Sequence, residues 1–128
     1  MLLSEETFTI PDSPSPYELQ KLLTRCSNAI ATLSDEIARA KQVQTRKTHD
    51  YKIACAKSRI ANQNKGTVKI VEALVELDES VLIAAQEMQE AAAYTELLQA
   101  KLDGYDAHFK ALRKVAEVRK TEMNTIQR

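Results

Sequence analysis

Apolar residues recur at alternating spacings of three and four from Leu23 onward: Leu23, Cys26, Ile30, Leu33, Ile37 and Ala40, then Tyr51, Ala54 and Ala61. That spacing follows the turn of an α-helix and leaves one apolar stripe. Three stripe positions are polar, namely Gln44, Lys47 and Ser58. Gln44 and Lys47 adjoin in mid-stripe, where a polar pair can fix register at a cost in stability. The reading preferred is that the seam drifts onto Val43. The start is marked by Ser15 as cap, Pro16 at the first helical position and Glu18 in the first turn. A first helix over about 16–61 follows.

A second series runs Leu74, Leu77, Val81, Ala84, Met88, Ala91, Thr95, Leu98, Leu102, Tyr105, Phe109, Leu112, Ala116, Arg119, Met123 and Ile126. Only Thr95 and Arg119 are polar in it, so a second helix over about 67–127 is expected. Between the two series lies Asn62-Gln63-Asn64-Lys65-Gly66-Thr67. Asn and Gly tolerate the backbone of a helix stop, and Thr67 can cap a new start. Carrying the first register forward predicts stripe positions at 68, 72 and 75, one residue away from the second series, which also argues for a turn. The second series passes through Gly104. A glycine inside a helix costs about 1 kcal/mol relative to alanine, which a long packed helix absorbs, with a bend at Asp103-Gly104. The expected fold is therefore all-α: a long antiparallel, coiled-coil-like helical hairpin. A break at Gly104 would give a three-helix bundle instead.

Composition narrows the class further. Glycine is 2 and proline 3 in 128 residues, and Pro11, Pro14 and Pro16 are the only prolines. Strand-rich domains need turn residues about every 8–12 positions, and this chain lacks them. The three prolines set residues 1–15 apart as an extended arm, with Leu2, Leu3, Phe8 and Ile10 for apolar grip. Residues 16–128 form a single helical domain. Aromatics are 5% and tryptophan is absent, which suits an elongated seam better than a rounded core. Two helices bury one stripe each, a thin core for a lone chain, so a homo-oligomer or another protein is the expected partner. With the chain reversing near Asn64–Gly66, Leu23 falls opposite roughly residue 108. The end from Ala116 to Arg128 then overhangs, and either the arm or a second chain must cover it. The expected oligomer seam is Leu98, Leu102, Tyr105, Phe109, Leu112, Met123 and Ile126.

Charge is balanced overall, 18 basic against 18 acidic residues, but segregated. Lys41, Arg46, Lys47, Lys52, Lys57, Arg59, Lys65 and Lys69 face only Asp50 in their segment. From Ile70 to Asp106 the acids dominate, and Lys101 is the lone base. Basic residues return at Lys110, Arg113, Lys114, Arg119 and Lys120. An antiparallel reversal sets the basic half of the first helix beside the acidic half of the second. Each exposed pair contributes little, about 0–1 kcal/mol, yet together such pairs disfavour wrong registers.

Searching for chemistry yields no catalytic constellation, so no enzymatic activity, cofactor, metal or small-molecule substrate is expected. His49 and His108 stand in no metal-ligand spacing. Gly66 and Gly104 are isolated, so no phosphate loop is present. The carboxylates Asp78-Glu79 and Glu87, Glu90 read as a solvated acidic face. On one continuous helix, Cys26 and Cys55 stand roughly 43 Å apart, while a disulfide needs Cα atoms within about 7 Å. Buried free thiols in a reducing compartment follow, hence a cytoplasmic location. No apolar run is long enough to span a membrane, and the N-terminus lacks the pattern of a secretion signal.

Tyr51-Lys52-Ile53-Ala54-Cys55-Ala56-Lys57, Lys65-Gly66-Thr67-Val68 and Ala91-Ala92-Ala93-Tyr94 with Leu97 and Lys101 resemble small helical proteins of bacteriophage and prophage early regions. The resemblance covers about residues 50–120. It implies a viral origin, a host-cytoplasmic location and an accessory role in DNA metabolism, and it carries no catalytic residues.

Three functions fit the sequence. The first is a non-enzymatic, self-associating interaction or assembly protein. The second is an accessory nucleic-acid-binding factor in phage recombination or replication, with Lys41, Arg46, Lys52, Lys57, Arg59, Arg113, Lys114 and Lys120 as candidate contacts. These cations do not form one line, since Lys41 and Lys57 flank opposite sides of the seam. The third is an inhibitor of a host enzyme that presents Glu72, Glu76, Glu79, Glu90 and Glu96 as a nucleic-acid mimic.

Overall fold

Among the described residues, three helices follow one another: α1 (Pro16–Asn62), α2 (Val68–Leu77) and α3 (Glu79–Ile126). The chain is all-α, and no strand occurs among the described residues. The computed structural model describes Ile10, Asp12 and residues 14–126, with side chains to Met123. The expected grip of Leu2, Leu3 and Phe8, the side chain of Ile126 and the helix end at Gln127 lie outside these residues.

Local hydrogen bonds explain the helix starts. The Glu18 N–H donates to Ser15 Oγ at 3.1 Å, and the Ile70 N–H donates to Thr67 Oγ1 at 3.4 Å. Both caps meet N–H groups that a helix leaves without an internal partner. Between α1 and α2 the turn runs through Gly66 at φ 153°, a conformation that a side chain disfavours.

One boundary departs from expectation. The second predicted helix is broken at Asp78 and unbroken at Gly104, which lies inside α3. Asp78 ends α2 in an extended conformation, its N–H donating to the Val75 carbonyl. The same residue opens α3. Its carbonyl accepts from the Leu82 N–H at 2.9 Å, and its Oδ1 accepts from the Ser80 N–H at 3.0 Å. The break also turns the register. Val75 is 2% exposed, whereas Leu77, the expected seam residue, is 75% exposed.

The chain divides into two compact units, one of residues 1–36 with 98–128 and one of residues 37–97. In the first, Leu19, Cys26 and Leu112 form a buried cluster joined by Ile10, Leu22, Tyr105, Phe109 and Val115. The Cys26 thiol donates to the Tyr105 carbonyl at 3.4 Å. Burial raises its pKa above the ordinary range, and the charge of Asp106 adds to the rise. Pro14 is buried, and Arg119 Nε donates to its carbonyl at 3.1 Å. The described part of the arm therefore covers part of the α3 end that the sequence leaves overhanging. Arg119, a polar residue at a seam position, is what holds it.

In the second unit, Cys55, Val75 and Val81 form the buried cluster, with Tyr51 and Ala54 against it. Gln44 and Lys47 keep their seam positions half-buried, and Val43 points outward at 43% exposure. The expected drift onto Val43 does not occur. Lys47 can stay because its Nζ meets Glu87 Oε2 on α3 at 3.1 Å. Thr95, also polar and buried, returns its hydroxyl to the Ala91 carbonyl at 3.0 Å and so needs no partner on another helix.

Candidate interaction surface

The expected oligomer seam faces inward. Leu98 and Leu112 are fully buried, and Leu102, Tyr105 and Phe109 are partly so. Of that seam, Met123 is the exposed member among the described side chains. Burial of a leucine contributes about 1.5–3 kcal/mol, so these side chains already stabilise the single chain. They offer little to a partner unless the unit opens.

The basic candidates are dispersed. Arg59 is engaged, its Nε lying 2.8 Å from Glu72 Oε1. Arg113 lies over the Phe109 ring, 6.0 Å from its centre. Lys41, Arg46, Lys52, Lys57, Lys114 and Lys120 are exposed. Helical geometry sets Lys41 and Lys52, eleven residues apart, on one flank of α1, and Arg46 and Lys57 on another. Tyr51 is part of the Cys55–Val75–Val81 cluster, and a hydrogen bond with Cys55 raises its phenol pKa. It is not placed as a stacking platform.

The acidic candidates are also divided. Glu72 is paired with Arg59, whereas Glu76, Glu79, Glu90 and Glu96 are exposed. Glu79 and Glu90 share one side of α3, and Glu96 lies nearly a third of a turn away. Among the described residues, no group of three or more His, Cys, Asp or Glu side chains could hold a metal ion. No helix among them is long and apolar enough to cross a membrane.

A small polar network forms where the three helices meet. Asn62 Nδ2 donates to the Ser58 carbonyl at 2.8 Å. Ser58 is buried, and its hydrogen bond to Asp78, with those from Ser80, lowers the Asp78 pKa below the ordinary carboxylate range. The network fixes the entry of α2 and the start of α3. It therefore orients α2, the element on which the strongest surface feature lies.

Periodicity alone does not reveal that feature. The sequence Val68-Lys69-Ile70-Val71-Glu72-Ala73-Leu74-Val75-Glu76-Leu77 is apolar around most of its circumference. Val75 faces the cluster and Val71 and Leu74 are half-buried, while Ile70, Ala73 and Leu77 form an exposed stripe on the outward side. Val68 at the start of α2 and Leu82 and Ile83 just past the break are also exposed. Contiguous exposed apolar surface marks interaction sites in soluble proteins, and Ile70, Ala73 and Leu77 share one side of α2. The composition of α2 could have signalled it, because a helix with one covered face needs only one apolar stripe. A shallow groove of about 370 Å³ lies in the other unit, between Pro16, Leu19, Leu23, Ala116, Lys120 and Met123. Set against protein-family models, curated proteins and solved structures, the chain matches none of them.

Proposed function

We propose that this chain is a non-enzymatic interaction and assembly protein, of bacteriophage or prophage origin, that self-associates in the host cytoplasm through coiled-coil-like helical surfaces. The observation that supports the reading is the outward apolar stripe of α2, Ile70, Ala73 and Leu77, which is left uncovered while Leu98 and Leu112 are fully buried. A surface of that kind loses apolar area to water only when another helix covers it. Sedimentation of the full chain across the micromolar range is the test. The expected result is a mass that rises with concentration to that of a dimer or larger. A monomer at every concentration would reject self-association.

A second reading, an accessory nucleic-acid factor, draws support from the exposed Lys41, Arg46, Lys52, Lys57, Lys114 and Lys120. Phosphate contacts by such residues weaken steeply with salt. A gel shift with single- and double-stranded DNA at low ionic strength checks it, and no shift under those conditions removes it.

A further inference from the structure

We propose that α2 pairs antiparallel with α2 of a second copy of this chain, through the stripe of Ile70, Ala73 and Leu77. The proposal rests on the self-association put forward above and names its surface, register and direction.

Three features of α2 converge on this partner. The helix is apolar on two opposite sides, as a helix lying between two layers is. Val75 and its neighbours meet one layer. The other side is bare, with Ile70 49% exposed.

The bare stripe is self-complementary in shape. Ala73, the small residue, sits between Ile70 and Leu77. A two-fold axis near Ala73 lets the two backbones approach there. It also places Ile70 of each copy beside Leu77 of the other. That is an isologous contact, in which one patch meets itself and the assembly closes at two.

Charge selects the direction. Lys69 and Glu76 are seven residues apart, nearly two full turns, so they lie on the same flank roughly 10.5 Å apart. Both are exposed, and neither forms a salt bridge among the described residues. A parallel two-fold pair would put the two copies' Lys69–Glu76 flanks on opposite sides of the seam and leave these charges without partners across it. An antiparallel pair centred on Ala73 sets each Lys69 beside the second copy's Glu76, twice. Opposite charges across an interface fix register and suppress the wrong arrangement.

Size sets the expected strength. A pair of ten-residue helices buries less than the roughly 1,200 Å² of a standard stable interface. Leu82 and Ile83, just past the break, can extend the contact. The association is therefore reversible and concentration-dependent.

Sedimentation equilibrium of the full chain and of four variants tests the proposal, with far-UV circular dichroism as a check on folding. The unmodified chain is expected to dimerise, and Leu77→Lys to abolish the dimer while helix content stays. Lys69→Glu and Glu76→Lys are each expected to weaken dimerisation about tenfold, since each replaces two attractions with two repulsions. The double variant Lys69→Glu with Glu76→Lys is expected to recover it. A monomeric unmodified chain would overturn both this pairing and self-association. A dimer indifferent to Leu77→Lys and to both single reversals would overturn the pairing through α2 and leave self-association standing. A double variant weaker than either single would overturn the antiparallel register.

Discussion

Replacing Gly104 and Gly66 by alanine, one at a time, is expected to move stability in opposite directions. Gly104 lies in the interior of α3, and a Cβ built there meets nothing within 4 Å. The substitution removes backbone freedom from the unfolded chain and adds no clash. The gain is about 0.8–1.0 kcal/mol. Unfolding a chain of 128 residues carries an entropy of about 0.27 kcal/mol/K, so the gain raises Tm by about 3–4 °C. Gly66 sits at φ 153°, and its Cβ would approach Ile70 Cγ2 to 3.0 Å. Both the strained backbone and the contact oppose alanine, so a loss of about 1 kcal/mol or more is expected. Urea and thermal melts by far-UV circular dichroism provide the measurement. Gly66 belongs to residues 37–97 and Gly104 to the other unit. If the units melt separately, each variant should shift a different transition. A lower Tm for Gly104→Ala, with the urea slope unchanged, would refute an unbroken α3. It would instead point to a turn at Gly104, the position where the hydrophobic repeat alone leaves a bend open.

Three further outcomes are expected. Leu112→Ala removes a fully buried side chain from the Leu19–Cys26 cluster and should cost about 2–5 kcal/mol, read as a fall in urea midpoint. Asp78→Asn should be destabilising at neutral pH. The folded-state pKa of Asp78 is lowered by its serine partners, so the contribution is present above the ordinary carboxylate range and lost as pH falls through the lowered value. The deficit of the variant should therefore shrink on acidification, and a pH-independent deficit would contradict the charge argument. Cys26 and Cys55 are both buried free thiols, one in each unit. Thiol reagent should label neither rapidly in the native chain. In Cys55→Ser and Cys26→Ser variants, the remaining thiol should report the opening of its own unit, and immediate labelling without denaturant would contradict the burial.

The boundaries legible in the sequence are those set by short-range hydrogen bonds. Ser15 and Thr67 cap within three residues, and Gly66 marks the turn by its own backbone. Asp78 has the same local logic, with Ser80 two residues on. The hydrophobic repeat conceals it, because Leu74, Leu77 and Val81 carry a three-and-four spacing straight across it. A one-residue break can leave such spacing intact while rotating the helix before it, which is how Val75 replaces Leu77 inside. Lys47 escapes the local pattern for the opposite reason. The place of Lys47 in the seam depends on Glu87, forty residues further along, and no local pattern contains that distance.

What the sequence determined by itself was the class and the grain of the structure: all-α, two long helical stretches, a turn at Asn62–Thr67 and such buried positions as Leu33, Ile37, Leu98 and Leu112. These follow from period, propensity and capping, each acting over a few residues. Tertiary structure decided which apolar residues remain uncovered. Leu98 and Leu112 look no different in the sequence from Ile70 and Leu77, yet the former are enclosed and the latter exposed. Burial depends on what packs against a face, and that is settled only when distant segments meet. The surface on which the proposed function rests is for this reason the part that only the folded chain reveals.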